Sequence, residues 1–284
     1  MLNKKIVIHI SDLHFSDPTV HFHDLKEKQT IFTKRYIGWL NHRLRRGQHF
    51  TEETRHRVIQ TLLKMDWDYL VISGDLATLS LEQEFVHARK ELAPLLKKGK
   101  VIITHGNHDR YVKEAVSTDL LATYFHDCFP FSNGQSGPGD IKFLEIGSQA
   151  VLVEIDTAIP RSLISSRGKV NVRLEEYENL LSKQFADKLK IAVSHYPAYL
   201  PPGQSEGYFH SLADKKQLRR FLINTVDLHL HGHVHKSWHF YPTEDKRLAC
   251  INSGGCFRYR QGNWAGFHKI TINNKDYEIE KINP

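Results

Sequence analysis

The chain alternates short apolar runs with amphipathic stretches. Ile6-Val7-Ile8-His9-Ile10, Tyr69-Leu70-Val71-Ile72-Ser73 and Val101-Ile102-Ile103-Thr104 have the length and branching of strands, and each stops at a polar turn. Residues 51–65 place Val58, Leu62 and Met65 on one helical face, and residues 81–96 do the same with Phe85, Ala88, Leu92 and Leu95. Thr51-Glu52-Glu53-Thr54 reads as a helix start, though not a full capping box. The second half predicts strands at 141–146 and 150–155, joined by Gly147-Ser148, then at 189–194, 227–231 and 248–252. Strands at 267–272 and 277–282 can pair across Asn273-Asn274, and helices fit 174–185 and 214–222. The glycine-rich loop 133–140 and the Pro/Gly loop 197–208 both lie between strands that should share a sheet, so neither reads as a linker. The expectation is one α/β domain over residues 1–284.

Composition narrows the class without naming a function. The chain has 284 residues, 40% hydrophobic and 25% charged, as in soluble globular proteins rather than disordered, collagenous or coiled-coil chains. Cys128, Cys250 and Cys256 are too few for a disulfide scaffold. No apolar run approaches a membrane span, and the N-terminal run is too short for a signal-peptide core. A reducing cytoplasm is therefore the expected setting. Two surpluses remain to be explained: 19 His, and a net charge of +7.

Polar side chains cluster at the strand ends. They are Asp12-Leu13-His14, Gly74-Asp75, Gly106-Asn107-His108-Asp109, Ser194-His195 and Gly232-His233-Val234-His235. Open α/β sheets bind ligands beyond the carboxyl ends of their strands, so these residues converge if the sheet is shared. Each motif alone is an ordinary turn or cap; five together, each after an apolar strand, are not. Oxygen and imidazole donors without Cys suit Mn, Zn, Fe or a similar divalent ion. Two Asp, one Asn and four His exceed the needs of one tetrahedral ion. They suit two ions about 3.5–4 Å apart, the arrangement used on phosphate esters. The glycines before Asp75, Asn107 and His233 permit sharp turns and close approach.

The five blocks resemble the calcineurin-like metallophosphoesterase superfamily, whose pattern runs D-x-H, G-D, G-N-H-D/E, H and G-H-x-H. All five are intact here, and the resemblance spans Ile6 to about Asn252. It implies two mixed β-sheets packed together and flanked by helices, an αββα sandwich. It also implies that Asp12, His14 and His235 hold one ion, that Asn107, His195 and His233 hold the other, and that Asp75 bridges them. The activity implied is hydrolysis of a phosphate ester or diphosphate, with in-line attack by a water or hydroxide bridging the ions. Two divalent ions bring four positive charges and two Asp remove two, which leaves a field suited to an oxyanion. His108 is then the candidate acid for the leaving oxygen. Asp109 either orients His108 or caps the loop. His9 and His229 sit inside strands and read as core or edge residues, His231 reads as a neighbour of the ligands, and His105 receives no role.

The charge surplus is local. From Lys34 to Arg57 the chain carries seven Lys/Arg and two Glu, so this stretch holds +5 of the +7. It lies in a long basic insert at about 17–57. Ile37, Leu40 and Leu44 fall on one helical face, and the plainest expectation buries that face in the core. A second reading is a membrane-surface helix, with Lys34, Arg35, Trp39, Arg43, Arg45 and Arg46 meeting headgroups or an acylated substrate. A third is a nucleic-acid patch, which the lack of Lys/Arg patterning near the motifs disfavours. The Lys-Arg-Tyr-Ile-Gly-Trp-Leu-Asn run resembles bacterial enzymes acting on lipid-linked diphosphates, the UDP-2,3-diacylglucosamine pyrophosphatases of lipid A synthesis. One common type of those enzymes carries Arg where this chain has His108, which argues against that type. Alternatives are a soluble phosphodiesterase for cyclic nucleotides or small esters, and a binding scaffold without catalysis. The complete motif set speaks against the scaffold.

Overall fold

The structure is a computed structural model that describes residues 4–16, 34–41, 44, 50–129, 142–162 and 165–284. Two β-sheets form its centre. The first contains β1 (Lys5–Ile10), β2 (Tyr69–Ile72), β3 (Lys100–Ile103), β12 (Phe267–Asn273) and β13 (Asp276–Ile282), in the order β13-β12-β1-β2-β3. The second contains β4 (Lys142–Ile146), β5 (Ala150–Glu154), β6 (Leu189–Val193), β7 (Leu228–His231), β8 (Ser237–Phe240) and β9 (Ala249–Ser253), in the order β4-β5-β6-β7-β9-β8. β10 (Tyr259–Arg260) and β11 (Asn263–Trp264) form a small separate pair.

The period-2 pattern of each strand sorts its side chains between layers. In β1, Ile8 and Ile10 face α2 (Glu52–Lys64) and α3 (Glu82–Lys98), packing with Val58, Leu62, Phe85 and Leu92. Val7, between them in sequence, faces the other sheet and packs with Leu152, Ile191, Leu230 and Ile251. The outer face of the second sheet packs Ala192 and Cys250 against Tyr177 and Leu181 of α6 (Leu174–Lys183) and Leu218 and Phe221 of α7 (Lys215–Thr225). The layers therefore run helix, sheet, sheet, helix, an αββα sandwich with apolar side chains filling all three seams. Among the described residues, no helix is long and apolar enough to cross a membrane.

β1, β2 and β3 are parallel, as are β5, β6, β7 and β9, so each group delivers its carboxyl ends to one edge. The five motifs thus come from two sheets, where the sequence suggested one shared sheet. Convergence survives because the edges meet. Ser11, just past β1, bridges Gly254, just past β9, and its carbonyl accepts from the Gly255 N–H at 3.0 Å.

The basic insert departs from expectation. Its described helix, α1 (Lys34–Asn41), is short, and the face carrying Ile37, Leu40 and the nearby Leu44 is outward, with exposures of 42%, 38% and 64%. The expected burial of that face is overturned. The chain is anchored instead by Arg35, a buried cation whose guanidinium donates to the Leu79 and Ser80 carbonyls and pairs with Glu114 at 3.2 Å. Trp39 packs near Leu79 and Tyr111. Arg43, Arg45 and Arg46 lie outside the described residues. Two further helices, α4 (Lys113–Thr118) and α5 (Leu120–Tyr124), and strand β8 were not anticipated.

Candidate metal centre

The site is built by laying one strand-end loop on the next. The N–H groups of Asp12, His14 and Phe15 donate to the carbonyls of Gly74, Asp75 and Leu76, at 3.1, 3.1 and 2.7 Å. The Asp75 carboxylate accepts the His108 N–H at 2.7 Å, and both oxygens of Asp12 accept the His233 N–H at 3.0 Å. Gly232 donates to the His195 carbonyl at 3.0 Å. All five motifs are joined by these bonds. Their backbone is also strained: Asp12, His14, Asp75, His233 and His235 have φ of 54°, 49°, 54°, 73° and 50°. Non-glycine residues rarely sit there, and such strain gathers at functional sites. Two of the glycines are required by close approach. A Cβ on Gly106 would lie 2.1 Å from an Asp75 carboxylate oxygen, and one on Gly232 would lie 1.9 Å from the Ser11 hydroxyl.

Two groups of donors result. The candidate ligand atoms of Asp12, His14, Asp75 and His235 all lie within 4.8 Å of one another. His14 and His235 face each other through Nε2 at 2.8 Å, and His235 Nε2 is 3.3 Å from Asp12. In the second group, the Asn107 side-chain oxygen is 3.1 Å from His195 Nε2 and 2.9 Å from His233 Nδ1. Asp75 belongs to both: it lies 3.3 Å from His195 Nε2 and 3.8 Å from His14 Nε2.

The tautomers say what this cluster wants. A carbonyl only accepts, so His195 Nδ1 must donate to Ser73 O at 2.9 Å, and His233 Nε2 must donate to His210 O at 2.8 Å. In the neutral rings that leaves His195 Nε2 and His233 Nδ1 as bare lone pairs, both aimed at an amide oxygen. Second-neighbour carbonyls orient metal-binding imidazoles in this way. The field agrees. Burial lowers the His195 pKa, but the Asp75 carboxylate outweighs it and raises it to about 9, so without an ion a proton on Nε2 takes the place a cation would hold. Burial likewise works against ionised Asp75, yet the surrounding His195 and His108 hold it well below the ordinary carboxylate range. Positive charge is drawn to this point, and oxygen and imidazole donors at such spacing fit divalent ions.

The sequence profile of the calcineurin-like phosphoesterases matches residues 6–237. The chain belongs to the calcineurin-like phosphoesterase family. The fold of this chain is similar to that of a dimetal phosphatase from Danio rerio, 12% identical, with a TM-score of 0.64 over 98% of this chain and 95% of that one. It is similar to a purple acid phosphatase from yellow lupin (Lupinus luteus) seeds, 15% identical, TM-score 0.61, over 99% of this chain and 52% of that one. It is also similar to a putative 5'-nucleotidase from Staphylococcus aureus, 13% identical, TM-score 0.51, over 98% of this chain and 53% of that one. The chain therefore spans about half the length of the lupin and staphylococcal proteins. No curated protein matches it. The family is one of metal-dependent phosphoester hydrolases that use two divalent ions, and in this chain Asp12, His14, Asp75 and His235 lie close enough together to hold a metal ion.

The other expected residues divide. His108 reaches the cleft: its Nδ1 donates to Thr78 O at 2.6 Å, and its ring stacks on Tyr111 and meets His14 edge-on. Asp109 does not touch that ring. Its carboxylate accepts the N–H groups of Ala77 and Gly106, each at 2.9 Å, and burial followed by repulsion from Asp75 raises its pKa to about 6. Lys34 places its ammonium over the Tyr111 ring at 4.5 Å, and burial lowers its pKa to about 8. Arg35 and Trp39 face the body of the protein rather than the cleft.

A cleft of 730 Å³ opens over the cluster, and several of its walls were missed by sequence reasoning. Phe50 stands edge-on to His14 at 5.5 Å, and Glu206, His210, Arg258 and Arg260 complete the rim. Arg258 donates to the His235 carbonyl at 3.0 Å. None of these residues belongs to a motif. Phe50 precedes α2, Glu206 and His210 follow β6, and Arg258 and Arg260 follow β9, and no spacing in the sequence ties them to the motifs.

Proposed function

We propose that this chain hydrolyses a phosphate ester or diphosphate at a dinuclear centre of Mn, Zn or Fe. In this reading Asp12, His14 and His235 hold one ion, Asn107, His195 and His233 hold the other, and Asp75 serves both. The observation that carries the reading is the pair of imidazoles, His195 through Nε2 and His233 through Nδ1, that converge on the Asn107 oxygen beside the Asp75 carboxylate, each held from its far nitrogen by a backbone carbonyl. Bound ions supply charge neutralisation for phosphoryl oxygens and a nucleophile from water at neutral pH.

The chain's own residues supply the rest. His108 in its doubly protonated form would give its Nε2 proton to the leaving oxygen and keep its Nδ1 proton on Thr78 O, while the Tyr111 ring fixes the plane. Asp109 ties the turns at Ala77 and Gly106 and so sets where His108 starts. Arg258 and Arg260 on the rim attract the anionic substrate. The test is a panel of nucleotides, aryl phosphates, cyclic diesters and diphosphates, assayed with each metal before and after chelation. Hydrolysis that survives chelation would overturn the reading.

A second reading, a lipid-linked nucleotide diphosphate such as UDP-2,3-diacylglucosamine, draws on the outward Ile37, Leu40 and Leu44 beside Lys34. In it the protein works at a membrane surface. Equal turnover of acylated and soluble UDP-sugars would remove it.

A further inference from the structure

Glu206 is out of place in a cleft for an anion. It lines the same cleft as Asp75, Asn107, His108 and His233, with its side chain only 4% exposed. One oxygen, Oε2, is 2.6 Å from the Lys215 ammonium. The other, Oε1, is buried with no hydrogen-bond partner among the described residues, and lies 3.9 Å from His233 Nε2. That His233 nitrogen already donates to the His210 carbonyl, so it does not serve Oε1.

Leaving a buried acceptor unsatisfied is costly, so its persistence at a ligand cleft calls for a partner that arrives from outside. A carboxylate accepts only, which excludes phosphoryl oxygens as that partner. The Lys215 ammonium offsets the carboxylate charge, so an anion beside it is not repelled. The rim is then asymmetric: Arg258 and Arg260 suit the phosphate, and Glu206 suits a donor group attached to it.

We propose that Glu206 Oε1 accepts a hydrogen bond from a hydroxyl of the substrate's organic group, so that the site selects phosphoesters of polyhydroxylated alcohols, sugars or ribosides, over bare aryl esters. This proposal rests on the hydrolase reading above. No covalent step involves Glu206; it is a specificity residue. Sites built to hydrogen-bond a substrate hydroxyl discriminate strongly against analogues lacking it, because the buried group is then left unpaired.

The test compares kcat/KM for a ribonucleoside monophosphate and for 4-nitrophenyl phosphate in the metal-loaded wild type, Glu206→Ala and Glu206→Gln. The ratio of the two values should fall at least about tenfold in Glu206→Ala, mostly through KM for the hydroxylated substrate, and less in Glu206→Gln, whose amide oxygen still accepts. Lys215→Met, which keeps Oε1 but strips its counter-charge, should raise KM for both substrates together. An unchanged ratio in Glu206→Ala overturns the proposal and leaves the hydrolase reading intact, whether both rates fall or neither does. If the wild type hydrolyses neither ester with any metal, this proposal falls; if it hydrolyses no ester or diphosphate of the panel, the hydrolase reading falls with it.

Discussion

His233 donates its Nε2 proton to the His210 carbonyl at 2.8 Å, which leaves Nδ1 as a lone pair 2.9 Å from the Asn107 amide oxygen. A bare imidazole nitrogen and an amide oxygen at that distance suit a shared cation. Asp75 sits between this group and the one formed by His14, His235 and Asp12. Asp75→Asn should therefore lower metal content from two ions per chain and abolish phosphoester turnover, while circular dichroism stays native. Metal analysis after gel filtration checks it. Two tightly held ions in the variant would contradict it.

His108 should separate from the ligands by its kinetics. His108→Ala should keep both ions and lose about 10²–10⁴ in kcat on alkyl esters, the usual worth of a general acid. The loss should shrink for nitrophenyl esters, whose leaving oxygen needs little proton assistance. Equal losses on both ester types would assign His108 a structural part instead.

Gly232 should not tolerate a methyl group. The added Cβ would lie 1.9 Å from the Ser11 hydroxyl and 2.4 Å from Asp12 Oδ2. Gly232→Ala should therefore displace Asp12 and weaken metal binding more than it lowers the melting temperature of the metal-free protein. Isothermal titration beside thermal melts distinguishes the two effects.

Several of the 19 His act as buried neutral rings, and they set an acid limit. His9 and His268 share the Ser253 hydroxyl between the sheets, and His229 meets the Ser194 hydroxyl. Burial, then nearby His239 and Lys281, push the His268 pKa down to about 3; burial, then histidine neighbours, hold His9 and His229 well below their ordinary value. The unfolded rings titrate near ~6.5. Stability is therefore fully present above that pH and falls as pH drops toward the folded values, because the unfolded chain binds more protons. Each such ring contributes a slope of up to about 1.4 kcal/mol per pH unit. Urea melts between pH 7.5 and pH 5 should show it, and His268→Gln should flatten the slope by one ring's share. An identical slope in the variant would sink the assignment.

α1 offers a contrast between its two sides. Arg35 is buried on two carbonyls and Glu114, so Arg35→Ala should cost about 2 kcal/mol in urea unfolding. Ile37→Glu and Leu40→Glu lie on the outward face and should shift stability by less than about 0.5 kcal/mol. If acylated substrates cross this face, the same two variants should slow their turnover and spare soluble substrates.

The five polar motifs that converge at the strand ends were legible in the sequence because each follows an apolar strand and consists of short polar residues at a recognisable spacing. The sandwich was legible through resemblance. Periodicity alone suggested one shared sheet, because nothing in the Ile6–Ile10 or Leu228–His231 pattern says which sheet a strand joins. The outward Ile37, Leu40 and Leu44 misled for a different reason. Helical spacing shows that residues share a face but not which side the body of the protein lies on, and here a buried arginine decides it. Glu206, Phe50 and Arg258 were invisible because loop residues acquire meaning only from what the fold sets beside them.

The most direct measurement is a titration of chelator-stripped protein with Mn²⁺ or Zn²⁺, reading bound metal and phosphoester hydrolysis in the same samples. The account predicts no hydrolysis without metal, binding that saturates at two ions per chain, and activity that rises with the second ion. Full activity in the stripped protein, or saturation of two sites with no hydrolysis of any ester or diphosphate, would contradict it.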